Sequence, residues 1–189
     1  MKNFKSIAIA LLVAFGTTFA TAQTKKVDVT KSNISWVGKK VTGSHEGKVS
    51  LKSGELAFKG SKLTGGTFTV DMNSITVTDL KAGQGKEKLE GHLKADDFFG
   101  TDKYPTALLV FTKVGAKQNG LYTVTADLTL KGITKPVTFD ITVKGNTATS
   151  ALKIDRTKYG IEYKSGSIFD SLGDAAIMDD FELAVELAF

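Results

Sequence analysis

The 189-residue chain contains no cysteine. Disulfides, thiolate metal centres and thiol nucleophiles are therefore excluded, and the fold must rest on its core alone. Prolines are scarce, Pro105 and Pro136 only, so no proline-rich linker divides the chain. Histidines are equally few. His45 and His92 lie far apart, and neither HExxH nor a DxDxDG loop is present, which leaves little basis for a metal site. Arg156 is the single arginine among 25 basic residues, and no basic tract suggests nucleic acid. After residue 15 no apolar run approaches the ~20 residues that a spanning helix needs.

One apolar run does exist, at the start. Lys2 and Lys5 precede the short stretch Ile7–Phe15, and Ala20-Thr21-Ala22 follows as an A-x-A pattern. This arrangement predicts a signal peptide over residues 1–22 and an exported mature chain, 23–189, of one domain. The expected location is the periplasm or beyond it. Without Lys2 and Lys5 the mature chain has 23 basic and 20 acidic residues, a net charge of +3. No transmembrane segment is expected in it. It is long enough to bury a core without staples.

The dominant pattern has a period of two. Tyr122, Val124, Ala126, Leu128 and Leu130 alternate with polar residues, as do Val137, Phe139, Ile141 and Val143, and Phe181, Leu183, Val185, Leu187 and Phe189. Each reads as a strand with one apolar face. About eight strands are expected, at 33–42, 45–59, 62–76, 106–117, 120–131, 135–145, 147–158 and 177–189. Short turns bearing Gly or Asn join most of them. In the second strand the apolar parity slips between Leu51 and Leu56, which predicts a bulge at Ser53-Gly54. Two segments break the alternation. Leu89, His92, Leu93 and Asp96 have helical spacing and predict a helix over 84–98, ended by Gly100. Residues 159–176 form a long Gly- and Ser-rich loop carrying Tyr159, Tyr163 and Phe169. The expected fold is all-β, an eight-stranded antiparallel up-and-down barrel. It has one short helix after the third strand and a long loop before the last. A β-sandwich buries faces in the same way, but it more often uses Greek-key crossovers.

No catalytic constellation stands out. There is no GxSxG, and the adjacent pairs Asp96-Asp97 and Asp179-Asp180 point different ways on a helix or strand. No enzyme activity and no cofactor are expected. His92 has two readings: a structural histidine bonded to Asp96, or a polar contact near a pocket mouth. Arg156 also has two. Its planar fork suits a structural pair with an acid such as one of 179–180, or a ligand headgroup, with Lys39, Lys40 and Lys164 as nearby positive charge.

Several stretches together resemble the YceI-like family of bacterial periplasmic proteins. They are W36-V-G-K-K-V-T-G-S-H-E-G47, V70-D-M-N-S-I75, H92-L-K-A-D-D-F-F-G-T-D-K-Y-P-T-A107, A126-D-L-T-L-K-G-I-T-K-P-V-T-F139, R156-T-K-Y-G-I-E-Y-K-S-G-S-I-F-D170 and D179-D-F-E-L183. Gly100 departs from the Asp that family members often carry. The resemblance implies a lipocalin-like barrel whose interior holds a polyisoprenoid or similar long-chain lipid, of isoprenoid quinone or polyprenyl phosphate type. The implied ligand-binding residues are Trp36, Phe68, His92, Phe98, Phe99, Tyr104, Arg156, Tyr159, Tyr163 and Phe169. In this reading the helix closes one barrel end, Phe98 and Phe99 turn inward, and Tyr104-Pro105 sets the return into the next strand. Two alternatives stand beside it. One is a cavity-free structural or adhesion domain. The other is a lipid-headgroup hydrolase, which needs His45 or His92 beside a carboxylate at a pocket mouth. Monomer and homodimer both remain open.

Overall fold

Alternation becomes strand along most of the chain. The computed structural model describes residues 22–189; the expected signal peptide lies outside them except for Ala22. Among the described residues there are nine strands: β1 (Ala22–Lys26), β2 (Asn33–Lys40), β3 (Gly43–Lys59), β4 (Lys62–Val77), β5 (Thr106–Ala116), β6 (Leu121–Leu130), β7 (Ile133–Lys144), β8 (Thr147–Asp155) and β9 (Ile177–Ala188). One helix, α1 (Lys86–Lys94), follows β4. All strand pairs are antiparallel, in the order β3-β2-β9-β8-β7-β6-β5-β4, and a β4–β3 ladder closes the ring. The molecule is thus a closed eight-stranded barrel with one extra strand. That strand, β1, pairs with Glu55–Lys59 on the same edge of β3 that β2 occupies further along.

The hairpins follow from their turns. Between β6 and β7, Lys131 and Gly132 both have positive φ, 51° and 75°, as a two-residue turn matched to strand twist requires. In β3 the expected bulge is present: the register with β4 shifts between Leu51 and Ser53. That shift lets Leu51, Leu56 and Phe58 all be buried despite opposite parity.

The helix is shorter than its spacing predicts. It stops at Lys94, well before Gly100, because Ala95 is extended with ψ 163°. The following turns then take up the orphan carbonyls: Phe99 N–H donates to Leu93 O and Thr101 N–H to Lys94 O. Glu90 ties α1 to β4 by accepting from Val77 N–H at 2.9 Å. Likewise β8 ends at Asp155 rather than 158. The Asp155 carboxylate accepts from Thr157 N–H at 3.0 Å and starts a 3₁₀ turn, Arg156–Tyr159.

The two barrel ends differ. At the end holding β1, Leu56, Phe58, Leu63, Tyr122, Val124 and Ala126 are buried, and Phe58 packs on Phe189 with ring centroids 5.7 Å apart. Tyr122 lends its hydroxyl oxygen to Leu63 N–H at 3.3 Å. The other end, beneath α1 and the 159–176 loop, is hollow.

Candidate functional site: an apolar cavity in the barrel

A cavity of about 190 Å³ occupies the hollow end. Its wall is almost wholly hydrocarbon, because the inward face of each strand is the apolar one. Rings line it in two groups. Phe68, Phe111 and Phe139, from β4, β5 and β7, lie 5.6 and 5.9 Å apart by centroid. Nearer the helix, Phe98 stacks edge-on against Phe99 at 5.1 Å, and Phe99 meets Phe181 of β9 at 6.2 Å. Both separations suit aromatic pairs. Trp36 of β2 also lines the cavity, and its buried Nε1 has no hydrogen-bond partner among the described residues. Its indole is seated by Gly47, its register partner on β3. A Cβ there would lie 2.5 Å from the ring and clash with the Thr76 carbonyl.

The expected site residues divide. Trp36, Phe68, Phe98, Phe99 and Arg156 line the cavity; His92, Tyr104, Tyr159, Tyr163 and Phe169 do not. Tyr104 is on the outside, its ring over the β6–β7 turn where a Cβ on Gly132 would meet it at 2.8 Å. Phe169 is 46% exposed in the long loop. Tyr163 packs instead on His92, with ring centroids 4.5 Å apart. Tyr159 is buried in the 3₁₀ turn and lines a second cavity between β7 and β8. Side-chain direction in turns follows tertiary packing, so motif membership could not place these four rings. Phe111, Phe139 and Phe181 were absent from the expected set. The inward parity of their strands was the signal that could have found them.

Arg156 is 2% exposed. Neither sequence reading describes it fully. Its Nε, NH1 and NH2 donate to the carbonyls of Met178, Ile161 and Ile177 at 3.1, 2.8 and 3.1 Å. Asp179 comes only to 3.8 Å from NH2. That carboxylate accepts from Ser165 Oγ at 2.5 Å and from Ser167 Oγ. Burial holds the Arg156 pKa below its ordinary value, against the pull of Asp179 and Asp155. The guanidinium therefore stitches the long loop to β9, with its Cζ 5.8 Å from the centroid of the Phe98 ring. Lys39, which also lines the cavity, is paired with Glu182 at 2.6 Å.

Neither histidine lines the cavity. His92 does not bond Asp96, which pairs with Lys103 at 2.5 Å. Its Nδ1 lies 3.9 Å from Asp97, and its buried Nε2 has no partner among the described residues. His45 meets Asp79 at 2.8 Å near the β2–β3 turn. Burial alone would raise the Asp79 carboxyl. The bonds from His45 and from Glu46 N–H outweigh it and hold the group below its ordinary value. Among the described residues no group of three or more His, Asp and Glu side chains could hold a metal ion. No helix there is long and apolar enough to cross a membrane.

This barrel matches known proteins. The YceI-like domain matches residues 26–189. The chain belongs to the YceI-like family. A UPF0312 protein of Shewanella denitrificans is 38% identical over 92 residues, covering 49% of this YceI-like chain and 46% of the relative. The match thus spans about half the length of that curated relative. Among solved structures, Burkholderia cenocepacia BcnA shares the fold at a TM-score of 0.67 and 24% identity, over 86% of this chain and 99% of its own. A polyisoprenoid binding domain from Saccharophagus degradans, implicated in plant cell wall breakdown, aligns at 0.61 and 17%, over 86% and 95%. These likenesses show the YceI-like fold.

Proposed function

We propose that this YceI-like protein is an exported binding protein that holds a long-chain polyisoprenoid or similar lipid in the barrel, without catalysing a reaction on it. The observation that carries this reading is the cavity itself. A structural module would fill its interior with side chains, and this one keeps apolar space walled by rings. A hydrolase would need a histidine at the mouth, and both histidines are elsewhere. The description of a protein of like fold as a polyisoprenoid binding domain supports the ligand class. The A-x-A pattern ending at Ala22 supports export to the periplasm or beyond. No cofactor enters this reading; the lipid is the ligand.

The cavity also bounds the tail. An apolar cavity of about 150 Å³ holds one benzene-sized group, so the 190 Å³ here encloses a tail segment of that order. Each enclosed carbon adds about 0.8 kcal/mol, set against the cost of ordering the chain. Longer tails extend through the mouth. Mass spectrometry of solvent extracts from protein purified gently from its host tests the reading. One polyprenyl or quinone species per chain is expected. Its absence, with a native mass equal to the bare chain, would return weight to a structural role.

A further inference from the structure

The β7–β8 ladder ends early. Only Ile141–Lys144 pair, with Thr147–Ser150. Backbone groups alternate in direction along a strand. Val143 N–H turns toward β6, donating to Gly120 O at 2.8 Å, so the even-numbered residues of β7 face β8. Asp140 shows this: its carbonyl accepts from the Ser150 hydroxyl at 2.7 Å in place of a strand partner. Beyond it, Thr138 and Pro136 would continue the register against Lys153 and Asp155, but no pair forms. Pro136 has no N–H to offer that side. The strands splay and leave a second cavity of about 240 Å³ between Pro136–Phe139 and Leu152–Asp155.

Three features make this gap more than a loose seam. First, Phe139, Leu152 and Asp180 belong to the walls of both cavities, so the gap lies directly against the interior, with those side chains between the two. Second, Tyr159 in its wall is 1% exposed, and its hydroxyl has no hydrogen-bond partner among the described residues. Buried hydroxyls are nearly always bonded, so an unpaired one on a residue of a cavity wall points to a missing acceptor. Burial, and after it the Asp155 carboxylate, raises the phenol pKa and keeps it a donor. Third, Lys153 and Lys158 line the same gap, paired with Asp180 at 2.8 Å and Asp155 at 3.5 Å. By contrast, the Arg156 nitrogens are already spent on carbonyls.

We propose that the β7–β8 gap is the polar subsite of the barrel. The tail of an amphiphile lies in the interior, and its anionic oxygen headgroup enters the gap to accept from the Tyr159 hydroxyl, with Lys153 and Lys158 at the rim. This rests on the lipid-binding reading above.

The test uses the full mature chain and Tyr159→Phe, which removes only an unbonded oxygen. The probes are geranylgeranyl phosphate, the C20 isoprenoid hydrocarbon lacking the headgroup, and inorganic phosphate. Emission from Trp36, the one tryptophan and a cavity residue, reports filling. The wild type should prefer the phosphate over the hydrocarbon, and Tyr159→Phe should shrink that preference about tenfold, the loss of one charge-assisted hydrogen bond. An unchanged preference overturns the subsite, as does a wild type that binds both amphiphiles equally; lipid binding then stands alone. Loss of the preference under millimolar inorganic phosphate, with hydrocarbon binding intact, would assign the gap to free phosphate and also overturn it. Binding of neither amphiphile removes both readings.

Discussion

A lone arginine among lysines reads as a geometric requirement, and Arg156 has one. Three carbonyls surround its guanidinium at bonding distance, an arrangement that a single ammonium cannot match. Arg156→Lys should leave at least one buried carbonyl unpaired and cost about 1–3 kcal/mol. Urea denaturation checks this: the midpoint should fall with the slope unchanged. If Arg156 were chiefly a headgroup contact, stability would hold and ligand affinity would drop. Its importance was legible in its rarity; its partners were not, because backbone carbonyls leave no residue-type signal. A second residue sets a pH limit. Asp28 accepts from Thr30 Oγ1 at 2.7 Å and Thr30 N–H at 3.1 Å, with Lys31 alongside, and its pKa falls from 3.8 to about 2. A carboxyl lowered by folding stabilises the fold above its unfolded pKa, and the contribution fades as pH falls through the folded one. Asp28→Asn should therefore flatten the loss of stability between pH 4 and 2 while lowering stability at neutral pH, as read from thermal midpoints across that range.

Among the elements, β3 does the most joining. Its Gly47 has Trp36 of β2 as one register partner and Val77 of β4 as the other. A methyl group at that point would meet the Thr76 carbonyl of β4 and the Trp36 ring of β2. Gly47→Ala should cost about 1–3 kcal/mol, as overpacking does, seen as a lower melting temperature together with a shifted Trp36 emission. Element by element, legibility tracked alternation. The strands with clean period-two patterns were found nearly to their ends, and the parity slip at Ser53-Gly54 located a real bulge. β1 was missed because AQTKK has no apolar face; it exists by pairing with β3, not by pattern. The helix was overextended because Asp96 keeps the spacing after the backbone has already turned at Ala95.

At the scale of the whole molecule, one end is solid and the other hollow, so stability and capacity are separated along the barrel axis. Phe99 sits in the hollow half with rings on both sides. Phe99→Asp puts a charge into an apolar wall. It should reduce co-purified lipid about tenfold in protein whose circular dichroism is unchanged, by native mass spectrometry. Full retention would remove Phe99 from the ligand's surroundings. The barrel was legible because most of its connections are short hairpins. Its cavity was not, since alternation marks which side chains point inward but not whether they meet. The ring has one further property. β9, residues 177–188, follows every other barrel strand in the chain, and it alone joins β8 to β2. A growing polypeptide that has not yet reached residue 177 carries two bare edges, on β2 and β8, and encloses nothing. Closure is therefore a late, single event in the life of each copy, and any cargo present before it could be caught from the side rather than threaded through an end.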